Sequence, residues 1–448
     1  MYSRWLLRLI NPMIPCRNIL HMLVITSSLL LQPISSFTQI TEQDDELPVT
    51  GIDSLNILLF EHQNPSQFTI YSYNGAITLT DSASFHRVMQ PSEPGVTIKI
   101  DEDHLFINEM ADPKKALLKR LFISNDEQSL IRIKVPGLSY RYYKGTLNFT
   151  FSKKDGIQII NFVGLENYIG SVIGGEMNFG SFEALKAQAV VSRNFALWNL
   201  SATRKTLYDL TDHSLSQVYR GELIMKPIFQ KAAAATHGEI LTWNNRLILA
   251  AYSSTCGGVT ASSESVWNGK PLPYLRAVKT NGACRVSPHY RWNSSILKKD
   301  LHTALSDAVS AEVTGVEIGK TDKYGRVISL DLHLSSGEIE KIKANRFRMI
   351  VMKEQDQNRG QEHNYGKNLL KSTFFALQDD NNQNQKHEHR RYNFTGRGLG
   401  HGVGLCQWGA SGLAKSGWNY KEILKFYYNG VELVNYHFFN SNFISRAN

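Results

Sequence analysis

The chain has 448 residues, of which 42% are hydrophobic and 20% are charged, and it carries a formal net charge of +9. This composition is that of an ordinary globular protein, not of a disordered or fibrous one, and the length allows two or three compact units. The positive charge favours anionic partners, and a polyanionic cell envelope fits. Because the basic residues are scattered and form no basic and aromatic stripe on a helix, we expect no nucleic-acid partner.

The N-terminus has the order of a secretory signal. Arg4, Arg8 and Arg17 precede the apolar run 19–31. This run is followed by a proline and a site of small residues. We therefore expect residues 1–36 to be a signal peptide and the protein to lie outside the cytoplasm, in the periplasm or cell envelope. The alternative is an uncleaved anchor, which would be its one attachment to a membrane.

The sequence pattern of residues 37–150 predicts a β-rich N-terminal domain. Short apolar runs separated by turn residues are typical of strands, and they cover residues 56–60, 68–72, 76–80, 96–100 and 131–135. This unit shows no cluster of acids, nucleophiles or metal ligands, so we interpret it as a packing or wall-docking domain. Tyr140 and Tyr142 could stack on sugar rings, but a half-buried sheet face explains them equally well.

The stretch 165–197 contains an acidic residue in an unexpected place. Leu165, Ile169, Val172 and Ile173 form one apolar stripe of a helix, and Glu176 falls on the same stripe. Burial should raise the pKa of such a carboxyl group, which could then donate a proton near neutral pH and take one back. The chain breaks at 178–180, where Ser181 is predicted to N-cap a second helix. In the alternative interpretation, Glu176 is structural and either caps a local network or pairs with Lys186 or Arg193.

Polar residues are dense in the loop 208–221. They could line a cleft or cap helices, and they are Asp209, Asp212, His213, Gln217 and Tyr219. The loop that starts at residue 252 offers hydroxyl groups and close backbone approach, which suit a sugar chain or any tight loop. These positions are Ser254, Thr255, Gly257 and Gly258.

Residues 396–433 contain the second strong motif. Alternate glycines from 396 to 404 can bend sharply and pass close to a ligand, and His401 is the titratable group among them. The spacing is not that of a phosphate-binding P-loop. A helix is predicted from near Leu405, and a thiol at Cys406 next to His401 raises the alternative of a cysteine nucleophile.

Cys256 and Cys284 are 28 positions apart. An oxidising compartment would allow a disulfide between them, and a shared metal is the competing interpretation. Neither cysteine lies in a CxxC or HxxxH pattern, so zinc has little support from spacing. A metal-dependent hydrolase that uses these two residues with His213 and His289 is a further alternative.

The stretch 165–197 resembles the signature of the stage II sporulation protein D family of peptidoglycan lytic transglycosylases, which includes the amidase enhancers. The matching positions are Leu165, Tyr168, Val172, Glu176, Met177, residues 183–190 and Arg193. The chain departs at Asn178, where the family usually has proline. Gln217 and Tyr219 match a Gln-x-Tyr-x-Gly motif, and the 253–260 loop matches Ser-x-x-Gly-Gly-x-Thr. The family's Gly-His-Gly-x-Gly-Met-Ser-Gln-x-Gly-Ala is matched through His401 and Gln407, with Leu405-Cys406 replacing Met-Ser. Because the family has serine there, a Cys406 nucleophile is disfavoured.

The resemblance implies an α+β fold with a catalytic domain at 151–435 and a C-terminal tail at 436–448. It implies cleavage of the bond between N-acetylmuramic acid and N-acetylglucosamine, with Glu176 as the single acid and base and no cofactor. The expected substrate-binding residues are Gln217, Tyr219, Ser254, Thr255, Gly257, Gly258, His401 and Gln407. Partners would be glycan strands and an N-acetylmuramoyl-L-alanine amidase. The alternative function is a non-catalytic wall-binding enhancer of such an amidase.

A second carboxyl group, which ordinary glycosidases use, is not evident, and Asp209, Asp212 and Glu264 are candidates only. Some relatives hold zinc in a segment like 211–217. Here Thr211, Leu215 and Ser216 occupy the matching positions and only His213 could bind, so we expect no metal there.

Overall fold

The computed structural model describes residues 53–61, 63–80, 86–101, 104–107, 117–118, 120–125, 129–152, 156–203, 207–213, 216–222, 226–357, 370–380 and 389–438. The predicted signal region lies outside the described residues. None of the helices within these ranges is long and apolar enough to cross a membrane.

The described part of the chain begins with a series of strands, most of which are short. They are β1 (Ser54–Leu59), β2 (Gln67–Tyr73), β3 (Ile77–Thr80), β4 (His86–Met89), β5 (Val96–Asp101), β6 (His104–Ile107), β7 (Leu117–Leu118), β8 (Arg120–Asn125), β9 (Leu130–Lys134), β10 (Arg141–Tyr143), β11 (Thr146–Ser152) and β12 (Gly156–Gly164). The five predicted strands match β1, β2, β3, β5 and β9 to within two residues.

Helices and short strands alternate from there on. They are α1 (Leu165–Glu176), α2 (Phe182–Thr203), β13 (Leu210–Thr211), α3 (Ile228–Ala234), β14 (Glu239–Trp243), β15 (Arg246–Leu247), β16 (Tyr252–Ser253), α4 (Ser263–Val266), β17 (Trp292–Leu297), α5 (Lys298–Val309), β18 (Val313–Thr321), β19 (Val327–Leu334), β20 (Ile339–Lys343), α6 (Ala344–Gln357), β21 (Phe375–Asp379), β22 (Arg391–Gly396), β23 (Leu405–Cys406), α7 (Gln407–Lys415), α8 (Tyr420–Tyr427) and β24 (Glu432–Asn435). The predicted α+β class is confirmed.

Two large sheets form the β-rich part. One has the strand order β13-β1-β12-β11-β8-β3-β4 and the other the order β10-β9-β2-β5-β6-β7. Alternate residues of β2 are buried, which is the period of a strand with one face in the core. Phe68 of one sheet stacks on Phe149 of the other with ring centroids 4.8 Å apart, so the inner faces share one core.

The seven-stranded sheet contains strands from both sides of residue 150. β1 pairs with β12 in antiparallel register from Ser54 opposite Gly164 to Leu59 opposite Ile159, and it pairs in parallel with β13. Helix α1 starts where β12 ends, so this sheet fixes the position of the helix that carries Glu176. The boundaries at 36, 150 and 435 stay a prediction.

The predicted helix pair is present as α1 and α2, and the apolar stripe of α1 is buried. The predicted side-chain cap of α2 is wrong. The hydroxyl group of Ser181 is buried and has no hydrogen-bond partner among the described atoms, and the residue contributes its carbonyl group, which accepts from Leu185 N at 3.0 Å. The hydroxyl group is therefore directed away from the free amide groups at the helix end.

A second hydrophobic core is formed by the part of the chain that runs from β17 to β22. Leu305, Leu330, Phe347 and Phe394 are among its buried members, and it is separate from the main core. It is built by α5, α6 and the sheets β18-β19-β20 and β17-β22-β21. Residues 292–396 thus contribute a module of their own between the two cysteine-bearing loops and the glycine-rich motif.

Candidate active site

Glu176 is the last residue of α1 and is half-buried. Its Oε1 atom accepts a hydrogen bond of 2.7 Å from the backbone amide of Val218. The side chains of Tyr252 and Gln407 also make hydrogen bonds to the carboxyl group. Gly175 makes the first contact feasible, because a Cβ atom there would lie 2.2 Å from the Val218 carbonyl oxygen. Four separate segments therefore meet at this carboxyl group.

Burial raises the pKa of Glu176 above its usual value, because a desolvated carboxylate is disfavoured. The hydrogen bonds from Val218, Tyr252 and Gln407 act in the opposite direction and stabilise the charged form, but burial is the larger effect. Both protonation states thus have support from the surroundings, which is what a group that donates and then accepts a proton requires.

The predicted ion pair of Glu176 with Lys186 or Arg193 is not formed, because both cationic partners are engaged elsewhere. Lys186 pairs with Glu183 at 2.7 Å. Arg193 is fully buried and forms a bidentate pair with Glu166, with distances of 2.8 and 2.6 Å. This second pair ties α2 to α1 and leaves Glu176 to the polar groups of the site.

A chain of side-chain hydrogen bonds ends at Tyr252, which contacts Glu176. The Tyr168 hydroxyl group donates to Gln217 Oε1 at 3.1 Å, and Gln217 Nε2 donates to the Tyr252 hydroxyl group at 3.1 Å. Gln217 was predicted from its motif, whereas Tyr252 was not predicted as a site residue. Its position at the start of the loop with Ser254 and Thr255 was the signal that could have identified it.

His401 is held in place by backbone contacts on its ring. Its Nδ1 atom accepts from Val403 N at 3.0 Å, and the ring also makes a hydrogen bond to the backbone of Tyr252. Burial and the nearby Arg348 guanidinium lower its pKa to about 3, so the ring is neutral at physiological pH. Trp267 packs against it with ring centroids 5.3 Å apart.

The glycine-rich motif meets the Glu176 motif in space. β23 pairs in parallel with β16, with Leu405 opposite Tyr252. Gln407, which follows β23, donates from Nε2 to Gln188 Oε1 of α2 at 3.4 Å, in addition to its contact with Glu176. Gln188 was not predicted as a site residue, although it lies inside the motif 183–190.

Two aromatic rings lie beside this meeting point. Phe179 follows Glu176 by three positions and stacks on Trp408, which follows Gln407, with ring centroids 4.2 Å apart and an interplanar angle of 21°. Both side chains are half-buried, so each leaves part of its ring surface open. Neither was predicted as a site residue, because the pairing joins two segments far apart in the chain.

The predicted loop residues differ in how free they are to meet a ligand. The Thr255 hydroxyl group is buried and bonds the Ser287 hydroxyl group at 2.7 Å. Ser254 is half-buried, and its hydroxyl group contacts that of Thr255 at 3.4 Å. Gly257 and Gly258 have φ values of +75° and +103°, a conformation that favours glycine, and they turn the loop towards Arg397 and Tyr290.

Tyr219 lies in the core below the site. It is 1% exposed, and its hydroxyl group donates to Asn161 Oδ1 at 2.7 Å. Its ring packs on Tyr168 with centroids 5.0 Å apart. The residue therefore supports the Gln217 network from behind, and its predicted contact with substrate stays a prediction.

The three candidates for a second carboxyl group each have structural partners. Asp209 accepts from the backbone amide of Asn56 at 2.7 Å. Asp212 accepts from Arg141 at 2.7 Å, and Glu264 forms a bidentate pair with Arg276 at 2.8 and 2.9 Å. These contacts hold loops in place.

The four-residue metal set with His213 and His289 is not assembled. His213 pairs with Glu61 at 2.5 Å, and His289 Nδ1 lies 3.4 Å from the Lys371 amine. The 211–217 segment does not fit zinc either. Thr211 and Ser216 offer only hydroxyl groups, and His213 is paired with Glu61. Cys256 and Cys284 are free, with sulfur atoms 3.6 Å apart, so the allowed disulfide is not formed in this structure.

A groove of about 720 Å³ lies elsewhere, between α3, α8 and β24. His237, Glu239, Lys425 and Asn435 are among its lining residues, and none of the predicted site residues is. The candidate site is therefore defined by the contacts around Glu176 and not by this groove.

The fold and the contacts together define a class of α+β protein. It holds one desolvated glutamate between the end of a helix and the segment that follows the glycine-rich motif. The family model described as Stage II sporulation protein matches residues 153–243. A second model, described as a domain of unknown function, matches residues 279–404, which largely coincide with the second core. The chain belongs to the stage II sporulation protein D and amidase enhancer family.

Individual relatives agree with this assignment. An uncharacterised protein of Brachyspira hyodysenteriae is 32% identical over 306 residues, which span 67% of this chain and 74% of that protein. The stage II sporulation protein D of Bacillus subtilis is 29% identical over 310 residues, or 62% of this chain and 76% of that protein. The amidase enhancer of the same organism is 30% identical over 291 residues, but this chain spans only 38% of its length.

Proposed function

We propose that the chain acts at the cell wall outside the cytoplasm as a peptidoglycan lytic transglycosylase, with Glu176 as its single acid and base. The observation that carries the proposal is the environment of Glu176, which is buried enough to hold a proton yet has three hydrogen bonds that stabilise the carboxylate. Membership of the family supports a role related to the cell wall.

In the first step, protonated Glu176 donates to the glycosidic oxygen between N-acetylmuramic acid and N-acetylglucosamine as that bond breaks. In the second step, the carboxylate takes the proton from the C6 hydroxyl group of the muramic residue, whose oxygen attacks C1. A 1,6-anhydro ring closes, and Glu176 is protonated again. One carboxyl group is sufficient because the nucleophile belongs to the substrate and no water has to be activated.

Neighbouring groups can position the glycan strand. The stacked Phe179 and Trp408 offer ring surface beside Glu176, and aromatic faces pack well on sugar rings. The half-buried Ser254 offers a hydroxyl group on the adjoining loop. Gln217 and Gln407 hold the acid in place through Tyr252 and by direct contact.

The decisive experiment is digestion of peptide-free glycan strands, with mass spectrometry of the products. Wild type should release fragments with anhydro-muramic ends, and Glu176→Gln should lose a factor of about 10² to 10⁴ in rate, the usual contribution of a general acid or base. Glu317→Gln, the same change at a side chain that is 59% exposed, is the matched control and should retain activity. Full activity of Glu176→Gln would show that the assignment is wrong.

The second candidate function is a non-catalytic enhancer of an N-acetylmuramoyl-L-alanine amidase, and the 30% identity to a protein named amidase enhancer favours it. Both candidates need a surface that binds glycan, so binding alone does not separate them. Absence of anhydro ends with wild type, together with a higher turnover of an added amidase on whole peptidoglycan, would establish the enhancer role.

A further inference from the structure

Three buried cysteines from three different segments meet behind the candidate site. Cys256, Cys284 and Cys406 are 1%, 0% and 0% exposed, and their sulfur atoms all lie within 4.8 Å of one another. Among the described residues, this is the one group of three or more cysteine, histidine or acidic side chains with such close ligand atoms. Cys406 comes from β23, and the other two come from the loops on either side of α4.

We propose that these three cysteines bind one zinc ion, with the Thr280 hydroxyl group at the fourth position. In a tetrahedral site with zinc–sulfur bonds of about 2.3 Å, the sulfur atoms are about 3.8 Å apart. Cys256 and Cys284 are separated by 3.6 Å, and Thr280 Oγ1 lies 3.7 and 3.8 Å from the same two sulfur atoms. These three ligand atoms thus already have the spacing of one face of such a tetrahedron.

Backbone amide groups donate to the Cys406 sulfur atom, which also lies 3.7 Å from the Ser254 carbonyl oxygen. Cys406 Sγ accepts from the backbone amides of Cys256 at 3.2 Å and Gly409 at 3.3 Å, and the latter is at the N-terminal end of α7. Tyr427 is 1% exposed, and its hydroxyl group has no hydrogen-bond partner among the described atoms. A Cβ atom on Gly409 would lie 2.1 Å from this hydroxyl group and 3.2 Å from Cys406 Sγ, so the hydroxyl group faces the cluster across Gly409.

A buried cation balances the charge. The Arg326 side chain is 1% exposed and donates to the carbonyl groups of Cys256 and Val259 at 3.0 and 2.9 Å. Three thiols release three protons to solvent when they bind Zn²⁺, which leaves a net charge of −1 on the site. Arg326 cancels that charge, whereas the thiol form leaves the guanidinium buried without compensation from the cysteines.

The position of the ion assigns it a structural role. Gln407, which bonds Glu176, directly follows Cys406, and Thr255 directly precedes Cys256. Zinc would therefore fix the loop and the glycine-rich strand against each other behind the acid. This inference does not rest on the proposed glycan cleavage, and a catalytically silent chain would still bind the ion.

The test is elemental analysis of the full chain after purification from an oxidising compartment in zinc-containing medium. We expect about one zinc per chain in wild type and less than about 0.2 in Cys406→Ser. Thr280→Val should keep the ion but release it to a chelator several-fold faster. Cobalt substitution should give a strong near-ultraviolet thiolate charge-transfer band in wild type.

A measurement on wild type alone covers the case in which Cys406→Ser does not fold. The three thiols should react with a thiol reagent only after a chelator has removed the ion, and the melting temperature should then fall. Wild type without zinc, with either three free thiols or a Cys256–Cys284 disulfide in peptide mass spectra, would overturn the proposal. Uptake of copper(I) in place of zinc would overturn it as well.

Discussion

Two opposing effects act on the carboxyl group of Glu176. Burial favours the protonated form, and the hydrogen bonds from Val218, Tyr252 and Gln407 favour the charged form. Burial is the larger effect and raises the pKa of Glu176, a direction that suits a group acting as acid and base. The same balance has consequences for stability and for the pH profile.

Glu176 should weaken the folded protein as the pH rises. Its folded-state pKa is raised above the usual 4.5, so the folded state binds more protons than the unfolded state above that pH. Glu176→Gln removes this penalty, so the variant should gain melting temperature relative to wild type from pH 4 to pH 8. His401 contributes equally to both proteins and cancels. A difference that shrinks as the pH rises would contradict the assigned direction.

Tyr252→Phe should move the basic limb of the activity profile to higher pH. The lost hydrogen bond stabilises the carboxylate, so its removal raises the pKa of Glu176 further, and the acid stays protonated to a higher pH. We expect about a tenfold loss in rate as well, since the Gln217 link is broken. Tyr324→Phe, distant in the chain and outside this network, is the control. A basic limb that stays in place would exclude the role of Tyr252.

The glycine-rich segment before β23 positions the residues that reach Glu176 from the C-terminal part of the chain. Gly398, Gly400, Gly402 and Gly404 have φ values between +71° and +98°, which only glycine adopts without strain. At Gly404 a Cβ atom would lie 1.9 Å from the Ala251 carbonyl oxygen, so the missing side chain is what lets β23 approach β16. This close approach places Gln407 at the acid.

Gly404→Ala should therefore destabilise the protein by about 3 to 5 kcal/mol, the sum of backbone strain and overpacking. Gly417→Ala is the matched control, because its φ is +91° but nothing lies within 4 Å of the added Cβ atom. We expect it to cost only about 1 to 2 kcal/mol, from strain alone. Denaturant unfolding of both variants measures the difference, and equal costs would mean that the close approach is not needed.

At the scale of the whole molecule, the main core and the second core meet through individual contacts. Arg326, from the turn between β18 and β19, reaches the carbonyl groups of the Cys256 loop. Lys343 donates to the Glu264 carbonyl group at 3.0 Å. The second module thus supports the loops behind the site as well as folding around its own core.

The net charge of +9 predicts that binding to the cell wall depends on salt. Exposed charges separated by more than about 8 Å are largely screened at physiological ionic strength. The fraction that sediments with purified anionic wall material should fall several-fold between about 0.05 and 0.5 M salt. Wall material stripped of its anionic polymers is the control, and salt should affect it less. Binding that is equally strong at both concentrations would show that contacts other than charge hold the protein.

The sequence by itself determined the buried stripe of α1 and the conflict at Glu176. These features follow from local periodicity and from the cost of burying a carboxylate, and both can be read from neighbouring residues. The family followed from the motifs around Glu176, Gln217 and His401. Five strands of the β-rich part were also predicted, since alternation with period two is a local property.

Only the tertiary structure decided which distant segments meet. It paired Arg193 with Glu166, brought Tyr252 and Gln188 to the site and joined Cys406 to the other two cysteines. Such contacts depend on how sheets, helices and loops pack, and side-chain chemistry at one position does not specify its partner hundreds of residues away. The same packing keeps His401 neutral, because burial lowers its pKa by an amount that no sequence pattern encodes.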